Sequence, residues 1–135
     1  MKIAIRYYTQ TGNTKKLAEA IAAELGVEAA DVSEPLKEKV DVLFLCNSVY
    51  WAGIDKHVKA FVRENAANIG EIVNVSTAAL VESTYGQMKN VAAQAGVRLS
   101  QQEFHCKGKF TALNAGHPNE QDIQAVRAFA KKVTQ

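Results

Sequence analysis

The sequence predicts an α/β protein of the doubly wound kind. The expected form is a three-layer sandwich, with a five-stranded parallel sheet of order 2-1-3-4-5 and helices on both faces. Three observations lead there. The hydrophobic pattern switches repeatedly between strand-like and helix-like segments. The stretch Asp41 to Val49 (DVLFLCNSV) is a near-continuous apolar run, as in strands buried on both faces of a parallel sheet. Finally, 135 residues, 47% of them hydrophobic and with no repeat or Pro/Gly-rich linker, read as one domain spanning 1–135 with a core of its own.

Each element has a local reason. Residues 2–8 (KIAIRYY) are rich in β-branched and aromatic side chains and read as the first strand. Asn13 to Leu25 places Leu17, Ala18, Ile21 and Leu25 at helical spacing, with Gly26 as the stop. Val27 to Val32 is a short second strand, and Asp41 to Val49 the third. The charged segment from Ser33 to Lys39, which contains Pro35, is expected to be a short or irregular helix. Residues 55–67 form an amphipathic helix with Val58, Phe61 and Val62 inward. Ile72 to Val75 is the fourth strand. Thr84 to Ala95 is a helix ending before Gly96, with Thr84 and Gln87 spaced for a capping box. Val97 to Cys106 is the fifth strand. The last helix begins after Gly116-His117-Pro118, with Asn119 as N-cap, Asp122 at the third position, and Ile123, Val126, Phe129 and Ala130 inward.

Composition excludes several classes of function. Sixteen Lys+Arg against 14 Asp+Glu leave a net charge of +2, and the lysines lie singly or in pairs rather than in a stripe, which argues against nucleic acid as a partner. The longest aliphatic stretch, Val42 to Cys46, is far short of the roughly 18 apolar residues of a membrane span, so no membrane partner is expected. The chain opens Met1-Lys2-Ile3-Ala4-Ile5-Arg6 without an apolar signal core, and a cytoplasmic location is expected. Cys46 and Cys106 have neither Cys-x-x-Cys nor metal-ligand spacing, so neither a disulfide scaffold nor a metal site is expected.

In a sheet of this order, ligands bind outside the carboxyl ends of the strands, at the switch point between strands 1 and 3. Function is therefore expected in the loops after residues 8, 47, 75 and 106. The first loop is Thr9-Gln10-Thr11-Gly12-Asn13-Thr14, directly before a helix. Hydroxyls, an amide side chain and a glycine surround a helix end whose backbone N–H groups lack intrahelical partners, which is the chemistry of a phosphate cradle. Capping alone would need one such residue; here the whole loop is built of them. It contains neither Gly-x-x-x-x-Gly-Lys-Ser/Thr nor Gly-x-Gly-x-x-Gly, so it is not the loop of a nucleotide hydrolase or of a dinucleotide-binding protein.

This loop, within YYTQTGNTKKLAEAI, resembles the FMN phosphate loop of flavodoxins, Thr/Ser-x-Thr-Gly-x-Thr after a hydrophobic strand. Two further stretches are similar to the same superfamily. Cys46-Asn47-Ser48-Val49-Tyr50-Trp51-Ala52-Gly53 resembles the flavin loop Gly-Ser-Pro-Val-Tyr-Trp-Gly of many relatives. The end of the chain, with Cys106-Lys107-Gly108-Lys109-Phe110 and Gly116-His117-Pro118-Asn119, resembles the last strand and helix of short flavodoxin-like proteins. The likeness covers essentially the whole chain and implies a flavodoxin-like sandwich.

It also implies FMN, held at the carboxyl ends of strands 1, 3 and 4. Thr9, Gln10, Thr11, Gly12, Asn13 and Thr14 are the expected phosphate residues. Ser48, Val49, Tyr50, Trp51, Ala52 and Gly53 would meet the isoalloxazine ring, with Trp51 stacking on it and Tyr50 an open candidate, since consecutive side chains often point apart. The Ala52-Gly53 peptide is where a carbonyl could turn toward flavin N5, and glycine makes that turn inexpensive. Ser76, Thr77 and Ala78 would set backbone groups against the pyrimidine edge. This third loop departs from the family, which usually carries Gly, Asp and a stacking Tyr there; Tyr85 comes later.

The leading functional expectation is an electron carrier serving redox partner proteins, a monomer without catalytic residues of its own. The alternative is a small FMN-dependent NAD(P)H or quinone reductase, for which a homodimer is expected. A third reading is an interaction module that has kept the fold without flavin, which leaves the phosphate loop unexplained. Most flavodoxins are acidic, whereas this chain has a pI of about 8.5. Its expected flavin loops set Asp55 and Glu82 against Lys15, Lys16, Lys56, Lys107 and Lys109. Positive charge stabilises an anionic reduced flavin, so a less negative hydroquinone couple is expected, and a basic partner is disfavoured. Other proteins of this architecture fail on their residues. A receiver domain needs aspartates where the strands end in Tyr7-Tyr8 and Cys46-Asn47, and a Cys-x5-Arg phosphatase needs arginine where Ala52 and Ala112 stand. Both cysteines are expected to be buried strand residues, and His57 and His117 surface or capping residues.

Overall fold

Every paired strand runs parallel to its neighbours. The computed structural model describes residues 1–49, 53–78, 83–108 and 116–135, with the backbone alone at Val49. In chain order the elements are β1 Ile3–Tyr7, α1 Asn13–Leu25, β2 Ala29–Asp31, β3 Val40–Val49, α2 Lys56–Asn65, β4 Ile69–Ala78, α3 Tyr85–Ala95, β5 Arg98–Leu99, β6 Phe104–Lys107 and α4 Glu120–Val133. The sheet order is β2-β1-β3-β4, with β5 and β6 both beside β4. This is the predicted 2-1-3-4-5 order, its fifth position shared by two short strands.

The apolar run of β3 is explained by burial on both faces. Leu43 and Leu45 pack toward α2 and α3 against Val58, Phe61, Val62, Ile72 and Met88. Val42, Phe44 and Cys46 point the other way, toward α1 and α4, against Leu17, Ile21, Val73, Val75, Val126 and Ala130. Phe44, Leu43 and Leu45 are fully enclosed, and each such side chain contributes about 1.5–3 kcal/mol of transfer free energy.

Helix ends follow the sequence signals where those signals are local. The first helix runs over the predicted residues and stops with Gly26 N–H on the Ala22 carbonyl at 2.9 Å. Asp55 caps α2, its carboxylate accepting from His57 N–H at 2.8 Å, and the predicted last turn of that helix becomes a 3-10 turn, Ala66–Asn68. Asn119 and Asp122 form the predicted start of α4 as a reciprocal capping box.

Four expectations need correction. The segment Ser33 to Lys39 is not helical. It is an irregular, bent segment in which Arg6 donates to the carbonyls of Glu34 and Pro35 and Asn65 Oδ1 accepts from Leu36 N–H at 2.9 Å. The fourth strand is longer than Ile72 to Val75, because β3 pairs with it along its whole length, from Val40↔Ile69 to Val49↔Ala78. The fifth strand is interrupted at Ser100–Glu103, where the Ser100 hydroxyl accepts from Gln102 N–H at 3.1 Å and this local turn competes with the ladder. Thr84 and Gln87 form no capping box: Thr84 makes no side-chain cap, because its hydroxyl is drawn into the sheet instead.

Candidate functional site

The register brings the expected loops together. Tyr7 lies beside Cys46, Asn47 beside Ser76, Val49 beside Ala78, and Ala78 beside Lys107. The carboxyl ends of β1, β3, β4 and β6 therefore form one row, and the segments after them rise from it.

The first loop turns at Gly12, whose φ of +89° is a left-handed conformation that favours glycine. Gly12 is also the N-cap residue of α1, and no side chain caps that helix. Its first-turn N–H groups stand at the positive end of the helix dipole. Thr9 Oγ1 accepts from Gly12 N–H at 2.8 Å and fixes the turn. Thr14 Oγ1 donates to the Tyr8 carbonyl at 2.8 Å, so this hydroxyl spends its proton inside the protein. Gln10 and Thr11 are exposed, whereas Asn13 and Thr14 are buried.

Charge is unusual here. The first turn of α1 carries no acidic residue, and Lys15 and Lys16 stand in it. The first turn of α4, by contrast, carries Glu120 and Asp122, the sign that a helix dipole favours. Cations at a helix start are unfavourable for the bare helix and favourable for a bound dianion. This donor set suits a phosphate monoester: a helix N-terminus, polar side chains, nearby lysines and no carboxylate in the loop.

Gly108, quoted in the sequence likeness but given no role, joins the first and third loops. Its N–H donates to the Ala78 carbonyl at 3.2 Å. A Cβ on it would lie 3.0 Å from the Thr77 Cβ and 3.1 Å from the Asn13 Nδ2. The side chains of Asn13 and Thr77 therefore converge on a point that only a glycine leaves open. Ser48, Ser76, Thr77 and Ala78 are all buried at the strand ends. Gly53, with φ +91°, turns the chain before α2. The expected ring contacts Tyr50, Trp51 and Ala52 lie outside the described residues, as do Glu82 and Lys109.

Beneath the strand ends lies a closed polar ring that spacing alone did not announce. Asn47 Nδ2 donates to Asn74 Oδ1 at 2.7 Å, Asn74 Nδ2 donates to Thr84 Oγ1 at 3.0 Å, and Thr84 Oγ1 donates to Asn47 Oδ1 at 2.6 Å. All three residues are fully buried. The second Asn47 N–H donates to the Leu45 carbonyl at 3.0 Å. The legible signal was an asparagine inside each of two apolar strands, DVLFLCNSV and IVNVS.

Elsewhere around this end, the Tyr8 ring stacks on His57, centroids 4.9 Å apart and planes 13° apart, while His57 Nδ1 meets Asp55 Oδ1 at 2.6 Å. Burial alone would raise the Asp55 pKa. Hydrogen bonds from the His57 N–H and ring, with the charges of His57 and Lys56, outweigh it and hold the carboxyl below its ordinary value. His117 Nδ1 contacts Asp122, the carboxylate of the α4 capping box, at 2.9 Å. Cys46 is fully buried and Cys106 partly so; burial pushes both thiols up, Cys106 to about 12 with help from Asp122. Among the described residues no group of three or more metal-ligating side chains converges, and no helix is long and apolar enough to cross a membrane. A cleft of about 280 Å³ between α2 and α3 is bordered by Gly53, Lys59, Arg63 and Gln87, and includes none of residues 9–14 or 76–78.

A doubly wound sheet of this order, with an uncapped, glycine-turned helix start at the switch between β1 and β3, defines a flavodoxin-like α/β protein; flavodoxin is itself a type example of that order. The chain belongs to the Flavodoxin domain family, whose model matches residues 4–117. An uncharacterized protein of Methanocaldococcus jannaschii is 27% identical, the match covering 90% of this chain and 89% of that one. Among solved structures, Flavodoxin 1 from Bacillus cereus superposes with a TM-score of 0.74 at 14% identity, over 99% of this chain and 97% of that one. A flavodoxin from the domain Archaea gives 0.72 at 15% identity, covering both chains completely. The rubredoxin oxygen:oxidoreductase of Desulfovibrio gigas gives 0.72 at 11% identity, over 96% of this chain but only 34% of that enzyme. At these identities the structural likenesses speak for the fold.

Proposed function

We propose that this protein holds FMN noncovalently at the carboxyl ends of β1, β3 and β4 and passes electrons to partner proteins. The observation that carries the reading is the start of α1: a left-handed glycine N-cap, no side-chain cap and two lysines in the first turn, at the switch point of a flavodoxin-family sheet. The roles assigned to residues follow from their chemistry. The N–H groups at the positive end of α1, with Gln10, Thr11 and Asn13, bind the 5′-phosphate; Thr9 and Thr14 shape the loop through Gly12 and Tyr8. Charge-assisted bonds of this kind contribute roughly 1.5–3 kcal/mol each. Ser48 and Val49 would lead into the segment that meets the ring, with Trp51 and Tyr50 as stacking candidates and the Ala52-Gly53 peptide the candidate for flavin N5. Ser76, Thr77 and Ala78 would serve the pyrimidine side. FMN, when bound, supplies one- and two-electron chemistry; the protein binds it, orients it and sets its potential.

Lys15, Lys16, Lys56 and Lys107 against Asp55 make the surroundings of the loops net positive, which raises the potential of a flavin that becomes anionic on reduction. A partner of acidic surface fits this end better than a basic one. The test is the visible absorption spectrum of the purified protein, repeated after FMN addition and desalting. Flavin bands that survive desalting support the reading; a colourless protein that quenches no FMN fluorescence defeats it. NAD(P)H oxidation with a quinone acceptor at enzymatic turnover would move the assignment from carrier to reductase.

A further inference from the structure

The ring Asn47–Asn74–Thr84 sits where the two ring-facing connections are anchored. Asn47 precedes Ser48, at the base of the connection from β3 to α2. Thr84 ends the connection from β4 to α3, and Asn74 lies in β4 below it. The residue before α3 is also tied to β4, Thr84 N–H donating to Ser76 Oγ at 3.4 Å.

The chemistry of Thr84 argues that this arrangement has a purpose beyond helix stability. A threonine before a helix ordinarily turns its hydroxyl onto the first-turn N–H groups. Here it turns away, donates to Asn47 and accepts from Asn74, while Ser83 Oγ accepts from Tyr85 N–H at 3.0 Å instead. Within the ring each of the three side chains gives one hydrogen bond and takes one, so the ring has a single sense and its members polarise one another. Apolar residues of similar size at the three positions would bury with less risk. Directional bonds, unlike apolar contacts, fix how far the start of α3 stands from β3 and at what angle.

We propose that Asn47, Asn74 and Thr84 are positioning residues for the flavin site, fixing the end of β3 against β4 and the start of α3, the elements on which that site is built. This rests on the FMN reading above. It goes beyond it in assigning a role to three residues that would not touch the cofactor.

The test compares wild type, Thr84→Val and Thr84→Ser for FMN dissociation constant, for the visible spectrum of bound FMN and for thermal unfolding of the FMN-free protein. Valine keeps the shape and removes the hydroxyl; it is expected to weaken FMN binding about tenfold or more and to shift the flavin bands. Serine keeps the hydroxyl and is expected to restore both. Should the valine variant not fold, Asn74→Ala leaves the Thr84–Asn47 bond in place and should show a smaller loss in the same direction. A Thr84→Val protein that unfolds earlier but binds FMN with unchanged affinity and spectrum overturns the positioning role alone. A wild-type protein that binds no FMN overturns the flavin reading, and this inference with it.

Discussion

Gly108 stands against Thr77 so closely that a Cβ added to it would lie 3.0 Å from the Thr77 Cβ. The same atom would reach the Asn13 Nδ2 at 3.1 Å. One glycine thus lets the ends of β4 and β6 meet the start of α1. Gly108→Ala is expected to cost about 1–3 kcal/mol by overpacking, read from urea unfolding. Because Asn13 must also give way, FMN affinity should fall as well. A variant as stable as wild type would show that the three loops are not packed this tightly.

Asn119 and Asp122 cap α4 reciprocally, at 2.8 and 2.9 Å. Asn119→Ala and Asp122→Ala are each expected to destabilise by about 1 kcal/mol. Since the two bonds belong to one box, the double variant should cost less than the sum of the single ones. Full additivity in denaturation would refute a shared box.

Asp55 ties pH to stability through α2. Its carboxyl is held below the ordinary value, so the folded state prefers it ionised. That preference contributes fully above the ordinary carboxylate pKa of about 3.9 and is lost as pH falls through the lowered one. Asp55→Ala should therefore lose about 1 kcal/mol at pH 7, with the gap to wild type closing toward pH 3. A gap of constant size across that range would mean that the ionised form is not what caps the helix.

The cysteines should be silent in the native state. Cys46 is fully enclosed, and the Cys106 thiol is pushed up to about 12 by burial and by Asp122. At pH 8 such a thiol offers roughly a thousandfold less thiolate than a free cysteine. A chromogenic disulfide reagent should therefore find both thiols in guanidinium and neither, on the same timescale, in buffer. Rapid reaction of one native thiol would place Cys106 in an open surrounding.

The sequence by itself determined what depends on neighbours along the chain. The apolar run of β3, the period of the helices, the glycine stop after Leu25 and the Asn119–Asp122 cap are local patterns with local causes, and they appear where expected. The glycine turn before α1 is local too, because one continuous segment carries the turn and the helix start. Tertiary structure decided the rest. The charged stretch Ser33 to Lys39 is held out of a helix by Arg6 and Asn65. The length of β4 follows from the length of β3, since a strand extends as far as its neighbour offers partners. Thr84 had the spacing of a cap, and its hydroxyl went to Asn47 and Asn74 instead. A buried hydroxyl takes whichever partners the folded chain brings to it, and those two asparagines are distant from it in sequence and adjacent only across the sheet.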